Sequence, residues 1–284
     1  MGFASLNPSY MESAKLVVAR AGRRSYLSRA GMTEATMGSL RRSAGLGAAI
    51  AALLLFASAA RAERVDLLLV LASDVSRSVD AEKFELQRRG YGHAMSDPRV
   101  IDAIRSGTHG RIGVCFLEWS GVMSQKLVID WTAIGDAGTA RHFGDRILEA
   151  PRSFTDRTSI SAAIDFAVAQ LERAPFEAAR RAIDVSGDGT NNSGRDVTSA
   201  RDEAVAKGIT INGLVILSER PLAWNPEHTN PPGGLENYYR QNVIGGPRAF
   251  VMAAQDFNSF GQALINKLIA EVAMAGRTRI ANSE

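Results

Sequence analysis

Short runs dense in Val, Ile and Leu alternate along this chain with longer stretches in which apolar side chains recur every three to four positions. The short runs predict strands at Val65 to Ser73, Arg111 to Trp119, Lys126 to Trp131, Ala182 to Ser186, Ile209 to Leu217 and Ala249 to Ala253. Several are near-continuous, as expected of strands covered on both faces. The longer stretches predict helices near Val79 to Met95, Asp136 to Glu149, Ile160 to Arg173, Gly194 to Lys207 and Asp256 to Met274. In the third, Ile160, Ala163, Ile164, Ala167, Val168 and Leu171 fall at i, i+3, i+4, i+7, i+8 and i+11, one face of a helix.

This alternation implies an α/β fold with three layers, a doubly wound and mostly parallel sheet between helices. The short connection Ser120 to Gln125 suits a hairpin, hence one antiparallel edge strand. No internal repeat or low-complexity linker interrupts the pattern.

The start of the chain reads differently. Arg41 and Arg42 precede a small, apolar run from Ala44 to Ala57, and Ala60-Arg61-Ala62 offers small residues where a signal peptidase reads them. Residues 1–62 are therefore expected to be an N-terminal extension with a cleavable signal, residues 63–276 one domain and residues 277–284 a tail. The location implied is the periplasm or the medium. An uncleaved anchor is the rival, although the run is shorter than the ~20 apolar residues a spanning helix needs. Met32 or Met37 gives a signal of ordinary length, so either is a possible start.

Export changes the meaning of the charge. Residues 1–62 hold 8 of the 33 basic and 2 of the 30 acidic residues, leaving 25 against 28, near neutrality. The whole-chain excess of +3 is then no argument for nucleic-acid binding. Cys115 is the lone cysteine, flanked by Val114 and Phe116, and reads as a buried, inert thiol.

The candidate chemistry begins where the first apolar run stops. Asp74-Val75-Ser76-Arg77-Ser78 sets a carboxylate and two hydroxyls at alternate positions, oxygens suited to Mg²⁺. The same string could instead cap the next helix. Thr158 opens Thr158-Ser159-Ile160-Ser161, and Asp188 lies in Val185-Ser186-Gly187-Asp188-Gly189-Thr190 after another apolar run. In this order the three segments resemble the von Willebrand factor A domain family and its metal-ion-dependent adhesion site. The resemblance places Asp74, Ser76, Ser78, Thr158 and Asp188 around one divalent cation, Mg²⁺ or Mn²⁺. Asn191-Asn192 and the stretch from Glu236 to Pro247 are similar to a bacterial branch known as a domain of unknown function.

The topology allows distant residues to share an ion, because open α/β sheets bind ligands beyond the carboxyl ends of their strands. Two carboxylates among neutral hydroxyls leave such a cation electrophilic, and the resemblance implies that an acidic side chain of an unidentified protein partner completes its shell. The segment Ser218 to Pro247 leaves from the same edge and carries Trp224, His228, Tyr238, Tyr239 and Arg240, residue types enriched at binding hot spots. These five are the expected partner contacts, with packing of the insertion against the body as the competing role. His228 is expected to be solvated, and Pro231-Pro232-Gly233-Gly234 to turn.

No nucleophile turn, phosphate loop or zinc helix motif accompanies the site, so a non-enzymatic binding module is expected. A metal-dependent hydrolase or phosphatase is the alternative, with Glu118 as its base unless that residue is an exposed strand-end carboxylate. A scaffold stabilised by its ion is the third reading.

Overall fold

Leu69 and Leu71 pack into one apolar cluster while Leu68, Val70 and Ala72 pack into another, so the first long strand is buried on both faces. This is why its sequence is continuous rather than alternating. The computed structural model describes residues 62–218 and 221–276. The expected leader and tail lie outside the described residues.

In chain order the elements are β1 (Glu63–Arg64), β2 (Leu68–Asp74), α1 (Ala81–Ser96), α2 (Pro98–Arg105), β3 (Ile112–Trp119), β4 (Gln125–Ile134), α3 (Ala137–Glu149) and α4 (Ile160–Glu172). They continue with β5 (Phe176–Glu177), β6 (Arg181–Gly187), α5 (Val197–Ala206), β7 (Thr210–Ile216), α6 (Pro226–Thr229), α7 (Leu235–Asn242), β8 (Val251–Ala254) and α8 (Phe260–Gly276). Among the described residues the main sheet has the order β4-β3-β2-β6-β7-β8. Every neighbouring pair in it is parallel except β3 with β4, the hairpin at one edge. β1 and β5 form a separate two-residue parallel pair.

Helices α1, α2, α3 and α8 contribute Tyr91, Ile104, Phe143 and Leu264 to the cluster on one face, and α4, α5 and α7 contribute Ile164, Ala200 and Tyr239 to the other. The three-layer α/β arrangement expected from the sequence is therefore present. Local chemistry starts the helices: Asp80, Asp136, Ser159 and Asp196 accept from backbone N–H groups of the first turns of α1, α3, α4 and α5. Asp97 and Pro98 start α2, a helix the periodicity did not predict. The expected turn at Pro231 is formed, with Gly233 at φ 80° and Gly234 at φ 83°, a region that suits glycine. No described helix is long and apolar enough to cross a membrane.

The central strands β2 and β6 lie side by side and run in the same direction. The loops leaving their carboxyl ends are thereby neighbours, and that edge carries the site.

Candidate functional site

Asp74 is the last residue of β2, and Asp188 follows β6 directly. Both are fully buried. Asp74 Oδ1 accepts from the Ser76 N–H at 2.7 Å, which folds the Asp-x-Ser-x-Ser string back over the strand end. Ser76 Oγ lies 3.2 Å from Ser78 Oγ, and Ser78 Oγ donates to Asp188 Oδ1 at 2.5 Å. Two hydroxyls thus link the two carboxylates. The other oxygens, Asp74 Oδ2 and Asp188 Oδ2, have no hydrogen-bond partner.

Those orphan oxygens set the electrostatics. Burial, and next the neighbouring Asp188 carboxylate, pushes the Asp74 carboxyl up to about 8, and burial also raises Asp188. Lys83 Nζ lies 3.7 Å from Asp188 Oδ2 and donates to Ser78 O at 2.8 Å, offsetting part of the negative charge. Arg152 Nη2 donates to Val75 O at 2.7 Å and Ser76 O at 2.9 Å, so a guanidinium braces the loop from below.

Thr158 stands before α4 and is also buried. The Asn pair after Asp188 ties the loops together. Asn192 Oδ1 accepts from Thr158 N at 2.9 Å, Asn192 N donates to Thr158 O at 2.9 Å, and Asn191 Oδ1 accepts from Ser161 N at 3.1 Å. Thr158 Oγ1 is 3.1 Å from His228 Nε2. The expected metal residues therefore meet at one sheet edge.

The expected partner residues divide. Trp224 is 65% exposed, and with Ser78, Thr158, Asn192 and His228 it lines a cavity of about 310 Å³. The exposed Arg77 and Arg157 border the same cavity. Arg240 is exposed and paired with Glu236 at 2.6 Å. Tyr238 is partly buried, and its hydroxyl accepts from Asn191 N at 3.1 Å. Tyr239 departs from the expectation. Its ring is wholly buried in the core and offers no surface to a partner, and its hydroxyl lies beneath the site, where a Cβ on Gly187 would meet it at 2.6 Å.

Two further expectations are corrected. His228 is not solvated: it is 3% exposed, and burial lowers its pKa against the opposing pull of Asp188. Glu118 is not an exposed strand end. It is fully buried, ion-paired with Arg88, and accepts from Ser153 N at 2.8 Å. Cys115 is buried as expected, and burial pushes its thiol well up. Arg152 went unnoticed in the sequence because it lies far along the chain from the loop it braces, and Lys83 because its ion pair with Asp188 forms across the fold.

The donor chemistry fits a hard divalent cation: two buried, neighbouring carboxyl groups, each with an oxygen that lacks a hydrogen bond, among hydroxyls. Among the described residues no three His, Cys, Asp or Glu side chains gather in a metal-binding group. Hydroxyl oxygens have to complete the set.

Proximal thread matrix protein 1 from the mussel byssus is similar in fold, at 14% identity over 75% of this chain and 49% of that one, with a TM-score of 0.52. The pilus adhesin SpaC from Lactobacillus rhamnosus GG aligns at 11% identity over 74% of this chain and 31% of that one, with a TM-score of 0.51. A von Willebrand factor type A protein from Catenulispora acidiphila aligns at 12% identity over 75% and 43%, with a TM-score of 0.49. This chain thus spans less than two thirds of each of these three chains. The three-layer α/β fold with one antiparallel edge strand is similar to that of the mussel and pilus proteins. The chain belongs to the family described as "Protein of unknown function (DUF1194)", matched over residues 64–276. No curated protein matches it.

Proposed function

We propose that this protein is an exported, non-enzymatic binding module that holds a protein partner through a divalent cation. Asp74, Ser76, Ser78, Thr158 and Asp188 are its metal residues, and Mg²⁺ is the ion their oxygens favour. The observation that carries the reading is the pair of orphan oxygens, Asp74 Oδ2 and Asp188 Oδ2, on fully buried carboxylates. Leaving such groups without a hydrogen bond is costly, Lys83 offsets that only in part at Asp188, and a cation would relieve the rest. The ion would keep an electrophilic face, to which a partner carboxylate could bind. The cavity bordered by Trp224, Arg77 and Arg157, with Asp156 opposing part of their charge, gives that carboxylate an approach.

The binding reading is favoured over hydrolysis because Glu118, the base considered for a hydrolase, is already engaged by Arg88 and the Ser153 N–H. Export rests on the leader sequence, which ends in Ala60-Arg61-Ala62. A mature N-terminus at Glu63, read by mass, supports it.

The metal reading is tested by thermal unfolding. Since an ion that binds only the folded state stabilises by mass action, a hundredfold excess over Kd should raise Tm by roughly 5–10 °C. Asp74→Ala should abolish the rise. Equal responses in the two proteins would remove the site. Capture of the partner with and without chelator then separates a partner-binding ion from one that only stabilises the loops.

A further inference from the structure

Thr158 is tied to itself through two other residues. Its backbone N–H donates to Asn192 Oδ1 at 2.9 Å, Asn192 Nδ2 lies 3.4 Å from His228 Nδ1, and His228 Nε2 lies 3.1 Å from Thr158 Oγ1. The direction of this closed circuit follows from its first link. A backbone N–H can only donate, so the Asn192 oxygen faces Thr158 and its amino group faces the histidine. Nδ1 must then accept, and Thr190 Oγ1, 3.2 Å from the same nitrogen, can turn its proton there as well. An imidazole with a bare Nδ1 carries its one proton on Nε2, so the last link runs from His228 to the Thr158 hydroxyl.

The histidine is held in that pose. It is 3% exposed and sits on α6, in the segment between β7 and β8, whereas Thr158 stands before α4. Thr190 N donates to His228 O at 2.9 Å and His228 N to Asn225 O at 3.2 Å. Gly189 leaves the space the ring fills, and a methyl group there would collide with it. A lone buried histidine usually only packs a core. This one reaches across the fold and aims its one N–H at a residue of the proposed metal set.

A threonine hydroxyl can accept two hydrogen bonds and donate one. With one lone pair taken by His228, Thr158 Oγ1 keeps the other for an ion, and its rotamer is restrained. We propose that His228 is a positioning residue for the metal centre: its Nε2–H holds the Thr158 hydroxyl in one orientation for the cation, and the imidazole itself is not a ligand. The inference rests on the metal reading above and deepens it. Groups that orient a metal's ligands without touching the ion are worth about tenfold or more in metal affinity.

The test uses the full chain. With ¹⁵N-labelled histidine in EDTA, a long-range ¹H–¹⁵N spectrum of wild type separates protonated from bare ring nitrogens, and His228 is assigned through its Overhauser contacts to Thr158 and Thr190. The proton is expected on Nε2. Calorimetry with Mn²⁺ then reads the role. His228→Leu, which has no donor, is expected to weaken binding about tenfold, while His228→Gln, whose amide can still donate, keeps most of the affinity. Thr158→Ala is expected to weaken binding at least as much, with His228→Leu adding little on top of it. A proton on Nδ1 in wild type overturns the inference whether or not any variant folds. Equal losses in His228→Leu and His228→Gln overturn it too, because the bulk of the ring and not its N–H is then what matters. Losses in His228→Leu and Thr158→Ala that simply add overturn it as well, since the two residues then act apart. Mn²⁺ binding that Asp74→Ala leaves unchanged overturns the metal centre itself, a result distinct from the other three.

Discussion

Asp74 and Asp188 leave the carboxyl ends of two adjacent parallel strands, and each keeps one oxygen, Oδ2, buried without a hydrogen-bond partner. Strands β2 and β6 bring the two carboxylates together, and Ser78, bridging from the first loop to Asp188 Oδ1, keeps them there. The fold itself therefore holds two acidic groups side by side where negative charge is costly.

That charge gives the chelated protein a predictable pH dependence. The Asp74 carboxyl is raised from 3.8 to about 8, and Asp184 is raised in the same sense to about 7, in both cases chiefly by burial. A raised carboxyl favours the folded state while protonated. Its contribution is full below the unfolded value and is lost as pH rises through the folded one. In EDTA, Tm should fall between pH 5 and pH 8 by several degrees, and Asp74→Asn should flatten part of the slope, leaving the part due to Asp184. Saturating divalent ion should reverse the Asp74 part, since the ion displaces the proton. A wild-type Tm in EDTA that climbs over this range contradicts the assignment.

The sheet was legible because β2, β6 and β7 are buried on both faces, which writes apolar runs into the sequence. The β1–β5 pair was not, since two residues carry no period. Helix α2 had its signal in Asp97-Pro98, an N-cap followed by a proline, but it was missed beside the longer α1. That Asp74, Ser76, Ser78 and Asp188 come together beyond the ends of β2 and β6 was legible from residue type, order and position after strands. His228 was legible only as a solvated partner contact, and its burial against Thr158 was not, because a histidine in a Pro- and Gly-rich segment has no spacing to the residue with which it pairs across the fold. Glu118 misled for a related reason: its partner Arg88 is on another element.

The Arg88–Glu118 pair should be structural. Arg88 Nη1 also donates to Ile147 O at 2.9 Å, and both side chains are almost wholly buried. Removing one charge strands the other, at about 3–5 kcal/mol. Glu118→Gln should lower the stability accordingly in a urea titration, and Arg88→Met with Glu118→Leu should recover most of it. If Glu118→Gln costs no stability, the charge pair is not what fixes this residue.

Gly189→Ala should evict His228 from its seat, because the added methyl meets the imidazole ring. Overpacking of this kind costs about 1–3 kcal/mol. Loss of the ring also frees Thr190 and Asn192, so amide exchange should quicken from Trp224 through Asn230 while the strands of the main sheet keep their protection. Unchanged exchange in that segment means the insertion is held by other contacts.

Lys83 should oppose the metal. Its ammonium lies 3.7 Å from Asp188 Oδ2, and it is held there by Ser78 O and by the Phe257 ring, 5.2 Å away at the centroid. In the metal-free protein this charge offsets part of the repulsion between the carboxylates. A divalent ion bound nearby makes the same charge repulsive, by an amount on the order of 1 kcal/mol for a partly screened site. Lys83→Met should therefore lower Tm in EDTA yet bind Mn²⁺ about threefold to tenfold more tightly by calorimetry, so its metal-induced rise in Tm exceeds that of wild type. Weaker binding in Lys83→Met would mean that the hydrogen bond to Ser78 O matters more than the charge, and that the lysine braces the loop for the ion instead of competing with it.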